Sequence, residues 1–347
     1  MSTLVPGRKW AAPGTAIATT DLAARDAPSA LEAAVVICCY DEERWDSLLR
    51  TIASVRSQAH APAEIVVAVD HNPSLATRLG RFVPGLRIVE NTGARGASGT
   101  RNAGARHATT PVLVFLDDDV CVGERWLDRL LAPLQDPGVV GAGGRIDPNW
   151  LGPPPAWWPP EFNWVVGATY AGQPTTTAPV RNVWTGNMAV RRQAFEAVGG
   201  FRSDFGKVGR ISRPEDTDLC LRISQASLGG SRQWVFVPGA SVSHEISIER
   251  AHLRYFLWRC YLEGRGKVEL ARLNGRADSL SDESTYVRRV LVRALRSYVA
   301  EAVRRRRTTP LRRAAAVVAG LVASGAGAAT AMAAMVRSPT PMGPTPP

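Results

Sequence analysis

Short apolar runs alternate with segments of helical periodicity over the first 135 residues, and this alternation restricts the chain to few folds. The apolar runs are too short for buried helices and are typical of strands covered on both faces. They lie at Ala33–Cys39, Glu64–Val69, Leu86–Glu90 and Pro111–Leu116. Helical patterns follow each run, as where Leu48, Ile52 and Val55 recur on one face. This order predicts an α/β fold with a mostly parallel sheet flanked by helices.

Polar side chains follow these predicted strands at the points where the strands end. They are Asp41, Asp70, Asn91 and Asp117. In open parallel sheets, ligands bind outside the carboxyl ends of the strands. Four strands that deliver polar groups to one edge therefore predict a ligand site at that edge.

The run Asp117-Asp118-Asp119 is the sharpest of these signals. Three adjacent carboxylates repel one another unless a cation or a set of hydrogen-bond donors lies between them. A divalent cation, Mg²⁺ or Mn²⁺, would relieve the repulsion and would suit a diphosphate. An acidic loop that caps the next helix is the alternative, and the buried strand before the run favours the cation.

The segment from Gly93 to Asn102 is rich in glycine, opens a helix and contains Arg95 and Arg101. Backbone N–H groups at a helix start, with arginines nearby, attract anions. No Gly-Lys-Ser/Thr follows, and no GxGxxG follows the first strand, so neither a Walker A loop nor a nicotinamide site is indicated.

A second acidic cluster, Glu215-Asp216-Thr217-Asp218, begins a later helix. Acids are common there because they complement the helix dipole. They also allow a general base that takes a proton from an acceptor hydroxyl.

The segment 147–182 is rich in proline and tryptophan, and it is either a loop that covers the core or an aromatic wall for an acceptor.

These motifs, in their order along the chain, resemble the family 2 glycosyltransferases of GT-A fold. The likeness covers about residues 33–245 and also includes Trp184–Met188 and Val198–Phe201. It implies an inverting transferase that moves a sugar from a nucleotide-diphospho-sugar, with a UDP-sugar as the expected donor, to an acceptor hydroxyl. It also implies Mn²⁺ or Mg²⁺ as cofactor.

The resemblance assigns roles to matching positions. The nucleotide-sugar site would comprise Tyr40, Asp41, Asp70, Asn91, Arg101, Asn102, Asp117 and Asp118. The metal ligands would be Asp117, Asp119 and His244. The catalytic base would be Asp216 with Glu215 beside it, and the acceptor would meet Trp184, Gly186 and Asn187.

Two differences from the family pattern and one similarity to a subgroup bear on the expected substrates. His71-Asn72-Pro73 replaces the family's commoner run after Asp70, and this bears on the nucleobase contacts. The Gln-x-x-Arg-Trp of processive members is absent, which predicts transfer of a single sugar. Tyr261–Lys267 is similar to a subgroup with glucuronosyltransferases that act on dolichyl-phosphate-linked glucose. This likeness implies a polyprenyl-linked or glycan acceptor in cell-envelope glycan or glycolipid synthesis.

The net charge of +11 is confined to the C-terminal part. Residues 1–249 carry a net charge of −1, whereas residues 250–313 carry +11.

A nucleic-acid-binding protein and a nucleotidyltransferase are the competing functional classes. The basic part lacks interleaved aromatic residues over most of its length, because most of its aromatic residues cluster at 255–261, and it has no RNA-binding or zinc motif, so no nucleic-acid partner is expected. Five cysteines without a CxxC pair favour a reduced, cytoplasmic protein.

Residues 314–336 contain no charge and follow a series of arginines. They are long enough to span a bilayer, but alanine and glycine make insertion marginal. A helix hairpin packed on the body, an interfacial helix and a solvated basic face are the alternatives. Peripheral attachment to an anionic membrane surface is favoured. The expected organisation is an N-terminal arm (1–30), a GT-A domain (31–248), a basic helical extension (249–337) and a disordered tail (338–347).

Overall fold

The computed structural model describes residues 31–208, 211–226, 233–275 and 286–337, so the expected N-terminal arm and C-terminal tail lie outside it. Within these residues a nine-stranded mixed sheet forms the centre of the molecule. Its strands are β1 Ala33–Cys39, β2 Glu64–Asp70, β3 Arg87–Asn91, β4 Val112–Asp117, β5 Val120–Val122, β6 Val139–Trp150, β7 Ala178–Val180, β8 Asn187–Arg191 and β11 Gln233–Ile246. A separate hairpin joins β9 Gly206–Val208 and β10 Ile211–Arg213.

Helices cover the sheet, and three further helices follow its last strand at the C-terminus. They are α1 Trp45–Arg56, α2 Pro73–Phe82, α3 Ala97–His107, α4 Trp126–Leu131, α5 Arg192–Ala197, α6 Glu215–Ala226, α7 Leu253–Asn274, α8 Val292–Arg305 and α9 Thr309–Arg337. A π-helical turn, Tyr286–Leu291, leads into α8. We refer to α7, α8 and α9 as the C-terminal layer.

The first half of the sheet agrees with the sequence prediction, since β3, β2, β1 and β4 are adjacent and parallel. Each strand lies within one residue of its predicted bounds. Alternate side chains of β1 enter two different cores: Val35 faces α1 and α2, and Val36 faces α3. A Cβ at Gly104 would lie 2.5 Å from Val36 Cγ1, so this glycine lets α3 lie close against the sheet.

The second half of the sheet is mixed, and the sequence predicted it less well. Strand β6 was not expected, and β11 was expected as two separate segments. The two strands pair in parallel along most of their length, with an irregularity between Val237 and Val242. Pro148 is tolerated in β6 because β8 pairs only with Gly141–Gly143, which leaves the Pro148 end on an edge.

The proline- and tryptophan-rich segment covers the core, which decides between the two alternatives for it. Trp158 and Phe162 are buried, and both lie beside Phe256 of α7 at ring-centroid distances of 5.3 Å. Trp157 meets the same ring edge-on at 5.5 Å. These aromatic rings therefore join the sheet domain to the C-terminal layer.

Candidate active site

The aspartate run lies where β4 ends and the short strand β5 begins. Asp117 is the last residue of β4, and β5 starts at Val120. Strand β5 pairs antiparallel with β11, in a register that sets His244 opposite Val120. This pairing brings His244 Nε2 to 3.4 Å from Asp119 Oδ2. Strand pairing between distant segments thus unites two of the three predicted metal ligands.

Arg44 lies against the same aspartates, and the sequence did not identify it. It comes from the turn between β1 and α1, at the predicted ligand edge. Its Nη1 lies 2.7 Å from Asp118 Oδ1 and 3.0 Å from Asp119 Oδ2. The signal available in the sequence was its position, three residues after Asp41 in a loop at the carboxyl edge.

Asp118 and Asp119 are both buried, with opposite consequences for their pKa values. Burial raises the pKa of the Asp118 carboxyl, and Arg44 only partly opposes it. Burial acts in the same direction on Asp119, but the hydrogen bond and charge of His244, with Arg44, hold its pKa below the usual range. Asp119 therefore stays ionised and is suited to a cation.

Two of the three predicted metal ligands, Asp119 and His244, lie together and remain the candidates for holding a cation. Asp119 Oδ1, Asp118 Oδ2 and His244 Nδ1 are buried without a hydrogen-bond partner. Among the described residues, no three His, Cys, Asp or Glu side chains gather into a metal-binding group. Asp117 does not join Asp119 and His244, because its carboxylate contacts Arg101. An oxygen of Asp119 and the His244 imidazole fit a cation whose other ligands come from a bound diphosphate.

Arg101 connects the two acidic motifs. It is 4% exposed, and its Nη2 lies 2.8 Å from Asp117 Oδ1 while its Nη1 lies 2.9 Å from Glu215 Oε1. The residue was predicted to contact the nucleotide, and in the structure its guanidinium bridges two carboxylates. A Cβ at Gly186 would lie 3.0 Å from Asp117 Oδ2, so this predicted acceptor residue lies directly against the cluster.

Asp216 lies in the first turn of α6, beside Glu215. Its Oδ1 accepts a hydrogen bond of 2.6 Å from the Thr217 N–H. Burial, followed by the charge of Glu215, raises the pKa of Asp216 to about 7. A carboxyl with a pKa near neutrality is suited to proton transfer at physiological pH.

Helix α6 is fixed by a buried charge cluster that the sequence did not predict. Asp218 is fully buried, and it pairs with Arg202 at 3.1 Å and with Arg222 at 2.8 Å. Asn274, at the end of α7, donates a hydrogen bond of 3.0 Å to Asp218 Oδ1. Asp218 thus has a structural role, two residues from the catalytic candidate Asp216.

Further contacts from α7 reach the Asp216 side of the site. Glu269 pairs with Arg213 at 2.6 Å, immediately before the acidic motif. Glu263 and Lys267 lie 3.4 Å apart on α7, and both act electrostatically on Asp216. The C-terminal layer therefore forms part of the site.

At the β2 and β3 ends, Asp70 organises the glycine-rich loop. It contacts His71 and Asn91 at 2.8 Å and accepts a hydrogen bond of 2.9 Å from the Gly96 N–H. Burial raises the pKa of Asp70, but these hydrogen bonds outweigh burial and lower it. Tyr40 is exposed nearby, and its carbonyl accepts a hydrogen bond from Asn72. This edge is open to a ligand at Tyr40, whereas Asn91 is engaged within the loop.

Residues 34–199 match the family model "Glycosyl transferase family 2". This segment of the chain is therefore similar to the family 2 glycosyltransferases. Its sheet, with ordered acids at the carboxyl edge, is the GT-A fold that the sequence motifs implied.

Two curated relatives differ in the share of their own length that this chain covers. It is 28% identical to a glucosyl-dolichyl phosphate glucuronosyltransferase of Haloferax volcanii, across 76% of this chain and 84% of the relative. It is 29% identical to an inactive polypeptide N-acetylgalactosaminyltransferase-like protein 5 of Macaca fascicularis, across 62% and 52%. The chain thus spans most of the archaeal relative and about half of the animal one.

Two solved structures share the fold. A mannosyltransferase from Pyrobaculum calidifontis, in complex with GDP-Man and Mn²⁺, superposes with a TM-score of 0.54 at 16% identity and covers 86% of this chain and 87% of its own. GalNAc-T7 with UDP, GalNAc and Mn²⁺ gives 0.51 at 18% identity, with 75% and 58% covered.

Two asparagines that were predicted to lie in the site make hydrogen bonds within the protein. Asn187 was predicted to contact the acceptor, but its side chain is fully buried. Its Oδ1 accepts a hydrogen bond of 2.8 Å from Trp126 Nε1, and its Nδ2 donates one of 2.8 Å to the Ala240 carbonyl. Asn102 was predicted near the nucleotide, but it exchanges two hydrogen bonds with the backbone of Phe201. Both amides hold distant loops together.

Asp41 and Trp184, which were predicted to contact the nucleotide and the acceptor respectively, each make a contact within the protein. Asp41 caps its turn by accepting a hydrogen bond of 3.0 Å from the Glu43 N–H. Trp184 is half-buried and packs on Tyr170 at 5.8 Å, so one face is engaged by the protein.

Proposed function

We propose that this enzyme transfers one sugar, with inversion, from a nucleotide-diphospho-sugar to an acceptor hydroxyl, with Mn²⁺ or Mg²⁺ as cofactor. The observation that carries the proposal is the link from Asp117 through Arg101 to Glu215. This link supports the proposal because it brings Asp117, two residues before the candidate metal ligand Asp119, close to Glu215, which precedes the candidate base Asp216. Mn²⁺ in the two structural neighbours supports the cofactor.

Each acidic group has a distinct task in this proposal. Asp119 and His244 would hold the cation, which offsets the negative charge that develops on the departing diphosphate. Asp216 accepts the proton of the acceptor hydroxyl as that oxygen attacks the anomeric carbon. Attack comes from the face opposite the diphosphate, whose bond to the sugar breaks, and inversion results. Arg101 fixes Glu215, and with it the turn that carries Asp216, against Asp117.

The acceptor and the location are proposed from the relatives and the charge distribution. The Haloferax relative is named for a glucosyl-dolichyl phosphate, which supports a polyprenyl-linked acceptor and a role in cell-envelope glycan or glycolipid synthesis. The same proposal includes a UDP-sugar donor and takes Asp117 and Asp119 as the two acids of an Asp-x-Asp motif. The enzyme would work at the cytoplasmic face of an anionic membrane and attach peripherally through the C-terminal layer.

A ligand screen followed by product analysis tests this function. UDP-sugars and GDP-sugars with Mn²⁺ are compared by thermal shift, because a ligand that binds the native state raises the melting temperature. One donor class should stabilise the protein only when Mn²⁺ is present. Turnover of that donor should release the nucleoside diphosphate. Release of pyrophosphate would instead identify a nucleotidyltransferase and overturn the proposal.

A further inference from the structure

One face of α9 is locked against α7 by direct backbone contact. A Cβ at Gly264 would lie 1.9 Å from the Ser324 carbonyl oxygen, and a Cβ at Gly327 would lie 1.9 Å from that of Tyr261. Ser324 Oγ also donates a hydrogen bond of 3.0 Å to the Cys260 carbonyl. The two helices therefore cannot part without exposing polar groups and a glycine-lined groove.

The opposite face of α9 is apolar and exposed. Its stripe repeats every three or four residues, so its members share one side of the helix. The members are Leu311, Ala315, Val318, Val322, Ala326 and Ala329. Val322 is 66% exposed, and no charged residue occurs from 314 to 336. The stripe extends for roughly 27 Å, at 1.5 Å per residue.

Arginines are concentrated on α8 and on the turn that precedes α9, next to this stripe along the chain. Residues 288–313 contain ten arginines and one glutamate. On the exposed side of α8, Val292, Val299 and Val303 alternate with Arg293 and Arg296. Arg304 and Arg305 end α8, Arg306 and Arg307 lie in the turn before α9, and all four are exposed. An exposed apolar stripe beside a dense row of arginines is complementary to an anionic bilayer surface, where basic side chains meet headgroups and apolar ones meet acyl chains.

The charges of α7 exclude a membrane-spanning position for this arrangement. By length and composition alone, α9 could cross a bilayer, from Thr309 to Met335. However, α7 carries charged residues along its length, among them Arg259, Arg265 and Lys267. Charged side chains are strongly disfavoured in the hydrocarbon core. Since α9 is held to α7, neither helix can enter the core alone.

We infer that α9 lies in the plane of an anionic membrane interface, with its Val318–Val322 stripe among the lipids and its opposite face on α7. The arginines of α8 and of the turn then lie at headgroup level. This inference rests on the proposed peripheral attachment and is independent of the glycosyl-transfer reaction. It assigns the lipid-facing residues, and it excludes a transmembrane segment.

Vesicle sedimentation of the full-length protein tests the inference. The vesicles contain phosphatidylglycerol and phosphatidylcholine in equal parts, or phosphatidylcholine alone. The wild type should bind the anionic vesicles, and it should bind the neutral ones at least tenfold more weakly. The double variant Val318→Asp/Val322→Asp should lose at least tenfold in affinity for the anionic vesicles. The matched control is Phe82→Asp, which changes a 62% exposed apolar residue on α2 and should bind like the wild type.

Three outcomes would overturn the inference, and they differ in what else they affect. Retention of the protein in membranes after alkaline carbonate washing would show a spanning helix, while attachment itself would stand. Equal binding by the double variant and the wild type would place the contact on another face. A concentration-dependent dimer that Val322→Asp abolishes, without vesicle binding, would mean that a second copy covers the stripe. In that case the proposed attachment fails as well, and nucleotide-sugar turnover measured in solution remains a separate test of the reaction.

Discussion

The carboxyl edge of the sheet and the C-terminal layer use arginine in opposite ways. At the edge, Arg44 and Arg101 are each held between two carboxylates, and Arg101 is almost fully buried. In the layer, the four arginines at 304–307 are exposed. A buried guanidinium needs fixed partners and therefore orients the groups that it touches, whereas an exposed one supplies charge to a surface. The same residue type thus fixes a site in one region and a location in the other.

Helix α7 belongs to both regions. Its Asn274 and Glu269 hold the segment that carries Asp216, and its Gly264 receives α9. The comparison predicts that substitutions at the carboxyl edge abolish sugar transfer. Substitutions at the α6–α7 junction should lower the stability of the fold. Substitutions at the α7–α9 contact should disturb the C-terminal layer alone.

The largest effect is expected from Asp216→Asn at the edge. Loss of a general base lowers transfer on the order of a thousandfold. Donor affinity should be unchanged within about twofold, since the substitution is isosteric and removes no proposed donor contact. Initial rates of sugar transfer and calorimetric donor binding measure the two quantities. Normal transfer by this variant would exclude Asp216 as the base.

Asp218→Ala should have the next largest effect, and it acts on stability. It leaves the guanidinium of Arg222 buried without its carboxylate, which costs about 3–5 kcal/mol of the free energy of unfolding. Glu196→Ala, which breaks a pair with an exposed carboxylate, is the control, and it should cost less than about 1 kcal/mol. Urea denaturation measures both. Equal costs would mean that the buried cluster does not fix α6.

Gly264→Ala should disturb the C-terminal layer and spare the edge. The added methyl group would collide with the Ser324 carbonyl, and overpacking of this kind costs about 1–3 kcal/mol. Gly325→Ala is the matched control on α9, because nothing lies within 4 Å of a Cβ there. Thermal unfolding and donor binding are measured together. Loss of donor binding in Gly264→Ala would contradict a separable layer.

The pH dependence of kcat/KM should report Asp216. The raised pKa, about 7, means that the carboxyl is protonated and inactive as a base below that pH. The rate should therefore fall about tenfold per pH unit below 7 and level off above it. A profile that is flat between pH 5.5 and roughly 8 would be inconsistent with this role.

The sequence predicted the parallel half of the fold because each strand there is a local apolar run. It did not predict β6, or β11 as one strand, because their pairing depends on segments far apart in the chain. The acids were found since three adjacent carboxylates carry a cost that is visible in the sequence. Arg44 and Asn274 were missed, because their partners are set only by tertiary contacts.

The motif around Asn187 shows where resemblance alone fails. Asn187 is the first residue of β8 and directly follows Gly186, which does abut Asp117, but its own side chain is buried and hydrogen-bonded within the protein. A motif therefore marks a neighbourhood, and only the fold decides which of its side chains faces the ligand.

Mn²⁺ binding in the presence of nucleoside diphosphate tests the central claim most directly. Electron paramagnetic resonance would be used to titrate Mn²⁺ into the wild type, Asp119→Asn and the surface control Asp147→Asn with saturating UDP or GDP. The wild type and the control should each bind Mn²⁺ in a diphosphate-dependent manner, whereas Asp119→Asn should bind at least about a hundredfold more weakly. Unchanged Mn²⁺ binding by Asp119→Asn would contradict a metal-diphosphate site at this edge.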